Sequence, residues 1–423
     1  MKIYGTGDCG KLLARPFEAH EKELATVREI LADVRERGNA AVFDYEKKFD
    51  STDLTEETFR VSEEEFEEAY RAVSPELLSS LKKAIANVLA YHKRDGRKDR
   101  IEKSGGRTTG YVVRPVGSAG IYVPGGTAPL SSSVLMGVLP AKAAGVERVV
   151  VATPAKGGKI HPLTLVAAKE CGADEVYKTG GAQAIAALAY GTQTLKRVDV
   201  IAGPGNIYVT LAKKEVYGQV GIDMLAGPSE ILILADKSAQ ADRVAADMLS
   251  QAEHDVLARA IVITDDRRLA EEVVVRAEER LSDLPRREIA EKSLNAGGGI
   301  ILVKDMEEGC ALANEIAPEH LELYTENPEA LLPLIRTAGA VFLGGYTPEP
   351  VGDYFAGPDH ILPTGGSAKF FSVLNEDVFT RKMSVIGYTK AALNEDGADI
   401  VRLAKSESLE AHARAVLCRT EEK

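Results

Sequence analysis

The chain has 423 residues, 45% hydrophobic and 27% charged, with a formal net charge of −12. That length predicts two to four domains at roughly 100–200 residues each, and the ordinary globular composition excludes disorder, collagen and coiled coil. The acidic balance, the absence of tryptophan and the 6% aromatic content argue against a nucleic-acid partner.

No apolar run approaches the roughly 18 residues of a membrane helix, so no membrane span is expected. Residues 1–17 read as a short arm. Their sequence, MKIYGTGDCGKLLARPF, has no apolar core of a secretory leader, which predicts a cytoplasmic chain. Cys9, Cys171, Cys310 and Cys418 lie far apart with no C-x-x-C pair and read as reduced thiols. Gly5-Thr6-Gly7-Asp8-Cys9-Gly10 matches the G-x-G-x-x-G spacing. A dinucleotide fingerprint needs a helix opening at the third glycine and a second buried strand after it. Pro16 interrupts that helix and residues 20–37 are themselves helical in pattern, so the match reads as a glycine-containing flexible arm.

Residues 18–95 show apolar positions three and four apart with charges between, the pattern of amphipathic helices. Residues 107–123 switch to short β-branched runs broken by glycine and read as strands. From about 148 the rhythm is strand, glycine turn, helix, repeated: RVVVAT then HPLTLVAAKEC, EVYKTG then AQAIAALAYG, VDVIAGPG then NIYVTLAKKEVYG, EILILAD then SAQADRVAADMLSQAEH. Continuous Val/Ile/Leu runs alternating with helices predict parallel strands buried on both faces. We expect an α/β chain of two doubly wound, Rossmann-like parallel-sheet domains with small helical N- and C-terminal segments. Residues 18–121 and 231–373 are expected to form one discontinuous domain and 122–230 a second. Residues 374–423 are expected to form a polar helical tail.

Three glycine turns follow predicted strands: Gly120 to Leu130, Thr179-Gly180-Gly181-Ala182-Gln183, and Gly203-Pro204-Gly205-Asn206. Each sets backbone N–H groups at a helix start, where polar or anionic ligand groups are held. Of the seven histidines, four fall in the second half. Gln251 and His254 are three apart at the end of a helical pattern, hence on one face. His320 follows Glu319 at the start of a strand. Asp353 and His360 flank a glycine-rich loop, and His412 lies on the last helix with Glu407 upstream. Taken singly, each histidine reads as an ordinary cap or surface group. Taken together they allow a divalent-metal site of nitrogen and oxygen donors without sulfur, and His320 is suited to act as a general base.

Several blocks resemble histidinol dehydrogenase: Tyr122-Val123-Pro124-Gly125-Gly126, Gly180 to Leu188, Gly203-Pro204-Gly205-Asn206, Ala226 to Glu230, Ser250 to His254, Ala317 to Leu321, Gly352-Asp353-Tyr354 and His360 to Gly366. They stand in that family's order, and the resemblance covers essentially the whole chain. It implies an enzyme that oxidises L-histidinol through L-histidinal to L-histidine with two NAD, the last step of histidine biosynthesis, with one zinc per subunit. Position by position it implies Gln251, His254, Asp353 and His412 as zinc ligands and Glu319 and His320 as the acid/base pair. Ser229, His360 and Glu407, with Gln251, His254, His320, Asp353 and His412, fall at substrate positions. Tyr122, Gln183 and Asn206 fall at NAD contacts, on the three turns already singled out. It also implies a homodimer in which the C-terminal segment supplies Glu407 and His412 to the partner's site. Val373, and Val256-Leu257 after the metal-binding helix, depart from the family's usual pattern. They leave open a paralogue that oxidises another small primary alcohol; against a non-enzymatic two-domain ligand-binding protein stand the absence of an export signal and the full acid/base and metal set.

Overall fold

A computed structural model of the chain describes residues 1–14, 20–95, 98–125 and 130–420. Pro16 and the Gly126 to Pro129 part of the first glycine turn lie outside them. Along the chain the strands are β1 (Ile3–Gly5), β2 (Arg100–Ser104), β3 (Arg107–Pro115), β4 (Ser118–Tyr122), β5 (Arg148–Thr153), β6 (Glu175–Lys178), β7 (Val200–Ala202), β8 (Gly221–Ile222), β9 (Glu230–Ala235), β10 (Arg259–Thr264), β11 (Gly299–Leu302), β12 (His320–Tyr324), β13 (Ala340–Leu343) and β14 (Thr380–Tyr388).

Contacts divide the chain into two units, Met1–Arg94 with Gly117–Phe379, and Asp95–Val116 with Thr380–Lys423. The first unit holds two parallel sheets. One has five strands in the order β6-β5-β4-β7-β8, the other six in the order β1-β11-β10-β9-β12-β13. Their central strands are apolar on both faces: Val149 to Ala152, Ile231 to Ala235 and Ala260 to Ile263 are all buried, as helices on each side of a parallel sheet require. The expected parallel α/β architecture is therefore present.

Three features differ from the expectation. The helices Glu21–Arg37, Asn39–Asp50, Glu63–Ala72 and Pro75–His92 pack on the layer of the five-stranded sheet, although residues 18–121 were expected to join 231–373. Val27, Ile30, Leu31 and Val34 share one core with Ile185, Leu188 and Leu211, and the Phe59 ring meets Tyr177 at 5.0 Å. The supposed flexible arm contains β1, an edge strand with Ile3 in register with Ile300. Residues 374–423 are not helical throughout. After a short 3₁₀ turn at Glu376–Phe379 comes β14, which joins β3 and β2 in a three-stranded antiparallel sheet of the second unit, before the helices Lys390–Ser406 and Glu410–Thr420. Among the described residues no helix is long and apolar enough to cross a membrane.

Candidate functional site

The site begins at the carboxyl ends of the five-stranded sheet. Tyr122 closes β4, and its hydroxyl accepts the Gly181 N–H at 3.1 Å. The turn after β6 is held by a buried carboxylate: Glu46 Oε1 accepts from Thr179 Oγ1 at 2.7 Å, Gly180 N at 3.0 Å and Gln183 Nε2 at 2.9 Å. Burial is the main cause that raises the Glu46 pKa to about 7, against these three donors. With its amide nitrogen on Glu46, Gln183 is held in place beside the turn, and its carbonyl oxygen is not used by that bond. The turn after β7 is clamped by a buried ion pair. Asp223 accepts the Gly203 N–H at 2.8 Å, Lys213 donates to the Gly203 carbonyl at 2.9 Å, and the two side chains bond each other. Asn206 caps the helix that follows, its Oδ1 accepting from Tyr208 N and Val209 N, a capping arrangement that does not use its amide N–H groups. Tyr122, Gln183 and Asn206 line a single cleft of about 820 Å³ that His254 and Tyr354 also line.

The acid/base candidates stand at the opposite strand ends, the amino ends of the six-stranded sheet. His320 opens β12 beside Ile231 of β9. Glu319 and His320 are both buried. Glu319 Oε2 accepts the Glu230 N–H at 2.9 Å. His320 Nδ1 has two oxygen neighbours, the Glu230 carbonyl at 3.1 Å and Gln251 Oε1 at 3.2 Å. Both can only accept, so Nδ1 carries the hydrogen and Nε2 the lone pair. That Nε2 is buried without a hydrogen-bond partner and lies 4.0 Å from Asp353 Oδ1. Burial lowers the His320 pKa, while the Asp353 charge opposes the shift, so the ring is neutral at neutral pH.

Carboxyls crowd this ring. Burial raises the Glu319 pKa well above its ordinary value, with Glu349, Glu230 and Asp353 adding to the effect. Asp353 is pushed to about 7 by burial and then by Glu349, and Glu349 to about 8 by burial and then by Asp247. His320, Glu349 and Asp353 bring ligand-type atoms within 4.8 Å of one another. Gln251 ends the buried face of helix Ala241–Ala252. His254 is not on that helix, as its spacing suggested, but on the turn beyond it, where its N–H donates to the Gln251 carbonyl at 3.2 Å. His254 is solvent-accessible at the cleft, yet the protein packed around its ring desolvates it enough to lower its pKa, with His320 reinforcing the effect. His360 is lowered to about 4, first by burial and then, against its own backbone hydrogen bond, by His320 and His254. Ser229, half-buried, immediately precedes β9.

The first unit thus gathers Gln251, His254, Glu319, His320, Asp353 and His360, and presents Tyr122, Gln183 and Asn206 to the cleft. Glu407 and His412 belong to the second unit, where both are exposed. Sequence reasoning missed Glu46, Lys213, Asp223 and Glu349. Two of these carried a signal, a charge on an otherwise apolar helix face: Glu46 one turn after Val42, and Lys213 between Val209 and Val216. Glu349 is four residues before Asp353, one helical turn from a residue already singled out.

A model of the histidinol dehydrogenase family matches residues 13–420. Histidinol dehydrogenase of Heliobacterium mobile is 54% identical over 93% of each chain, and that of Moorella thermoacetica 53% identical over 97% of this chain and 96% of its own. The crystal structure of histidinol dehydrogenase from Elizabethkingia anophelis superposes with a TM-score of 0.94 at 38% identity, covering 99% of this chain and 98% of that one. A family match of this extent, together with the strand-end site, assigns the chain: it belongs to the histidinol dehydrogenase family.

Proposed function

We propose that the protein oxidises L-histidinol through L-histidinal to L-histidine, passing four electrons to two NAD. The observation that carries this reading is His320, a buried neutral imidazole whose Nδ1–H is committed to the Glu230 carbonyl and whose Nε2 is left as a base. Nε2 accepts the alcohol proton of the substrate, a proton transfer suited to an imidazole held neutral at working pH. Bound NAD supplies the hydride acceptor. We assign Tyr122, Gln183 and Asn206 to hold it, which the single cleft they line supports. In the second half-reaction the aldehyde needs a water. Glu319 is anchored through Oε2, which leaves Oε1 to take the water's proton. Burial strengthens its carboxylate as a base once it is ionised.

The donor set Gln251, His254, Asp353 and His412 offers nitrogen and oxygen without sulfur, which suits a zinc ion left open to substrate. The lowered pKa of His254 keeps its nitrogen available for a metal. Bound zinc supplies a Lewis acid that orients the amino alcohol through its nitrogens. Ser229, His360 and Glu407, with Gln251, His254, His320, Asp353 and His412, complete the substrate contacts we assign. His412 and Glu407 are assigned to the site of a partner subunit. The apolar surface of the second unit supports a dimer, with Ile386 77% and Leu403 68% exposed.

The test is stoichiometry. Histidinol and NAD should yield two NADH and one histidine for each histidinol consumed. No NADH with histidinol, but turnover of another small primary alcohol, would instead make the protein a paralogue with a different substrate. For the metal, elemental analysis should find one zinc per subunit, and His254→Ala should lower that content; full occupancy in the variant would remove His254 from the set.

A further inference from the structure

We infer that Arg286 is the anion anchor of the cleft and binds the diphosphate of the dinucleotide, an inference that rests on the NAD reading of that cleft. Arg286 precedes helix Arg287–Gly297 and is half-buried. It is the one cation lining the cleft among the described residues, which otherwise carries the carboxyl groups of Asp50 and Glu253. Among the described residues its guanidinium makes one long hydrogen bond, from Nη2 to the His254 carbonyl at 3.4 Å. A guanidinium has five donors in a planar fork, so most of its bonding capacity is unused among the described residues.

The chemistry of the cofactor says what can use it. NAD is two nucleosides joined by a diphosphate. Its hydride-accepting ring must approach the base on β12, while Tyr122, Gln183 and Asn206 stand on turns of the other sheet. The diphosphate joins the two halves and therefore crosses the cleft between these groups. Two negative charges in a cleft that already holds carboxyls need a cation, and a bidentate guanidinium matches phosphate oxygens. Arg286 lies beside the turn that carries a proposed metal ligand, its Nη2 3.4 Å from the His254 carbonyl. The substrate, an amino alcohol, carries no anionic group for Arg286 to hold.

The experiment is steady-state kinetics of the full-length enzyme loaded with zinc, comparing wild type with Arg286→Ala and Arg286→Lys. Arg286→Ala should raise KM for NAD by about tenfold to a hundredfold, the range for losing a charged hydrogen bond, with kcat and KM for histidinol within about threefold. Arg286→Lys should recover part of the loss because it keeps the charge without the fork. ADP-ribose, which carries the diphosphate, should inhibit Arg286→Ala more weakly than wild type, while adenosine, which lacks it, should inhibit both alike. An unchanged KM for NAD, or equal weakening of adenosine inhibition, would overturn the assignment. So would a loss confined to product inhibition by histidine, which would place Arg286 on the product carboxylate. Absence of NAD-dependent turnover in the wild-type enzyme would refute the proposed function itself, a result distinct from any of these.

Discussion

Glu46 accepts three hydrogen bonds on one carboxyl oxygen, while the other is buried without a partner. Its pKa of about 7 in the folded protein lies above that of the unfolded chain. A raised carboxyl pKa means that the folded state holds the proton more tightly, so its contribution to stability is complete below about pH 4.5 and is lost as pH rises to about 7. The difference amounts to roughly 3 kcal/mol. Glu46→Gln has no such proton to lose, so its melting temperature should rise relative to wild type between about pH 4.5 and 7.5; parallel curves would show that Glu46 does not titrate there. At the proposed acid/base pair, Glu319→Gln should slow histidinal oxidation by roughly 10²–10⁴-fold, the range for a general base, while histidinol oxidation falls less. Single-turnover measurements on the two substrates separate the steps, and equal losses would refute the division of roles between Glu319 and His320. Residue types and order were enough to single out Glu319, His320 and Asp353. They could not show that Glu46 reaches Gln183, because that contact joins residues 137 positions apart through a tertiary fold.

Among the elements, the turn after β7 is tightly constrained. Gly203 has φ of +120°, and a Cβ there would sit 2.1 Å from the Tyr122 carbonyl oxygen, so no side chain fits between β4 and the turn. Lys213 and Asp223 hold that turn from behind. Removing one member of a buried ion pair strands the other charge, at about 3–5 kcal/mol. Asp223→Asn should therefore lower the melting temperature sharply, and adding Lys213→Met should restore part of the loss. If the two losses simply add, the pair is not coupled. The parallel strands were legible because burial on both faces writes continuous Val/Ile/Leu runs into the chain. β2 and β14 were not, since β2 is exposed throughout and β14 has no buried residue, so neither face selects an apolar pattern. An amphipathic stripe such as Val27, Ile30, Leu31 and Val34 shows that a helix is covered but not which sheet covers it, and the layer of the 21–92 helices was misplaced for that reason.

For the whole molecule, the proposed shared-site dimer has a direct test. Inactive His320→Ala and His412→Ala subunits, mixed under exchange conditions, should regain activity approaching half that of wild type per mixed dimer, because one of its two sites then carries both defects and the other neither. Subunit exchange proven by mass, with no activity regained, would contradict sharing. The pairing of β1 with β11 sets a schedule for how the molecule is made. Ile3 leaves the ribosome 297 residues before its register partner Ile300, a wait of about 15–60 s at ordinary synthesis rates of roughly 5–20 residues per second. Until then the six-stranded sheet has neither of these strands in place, and the short apolar run of β1 has no edge to join. The five-stranded sheet, complete by Ile222, can close much earlier. The wall of the cleft that carries Tyr122, Gln183 and Asn206 is therefore built on the nascent chain before the strand bearing His320 has been synthesised.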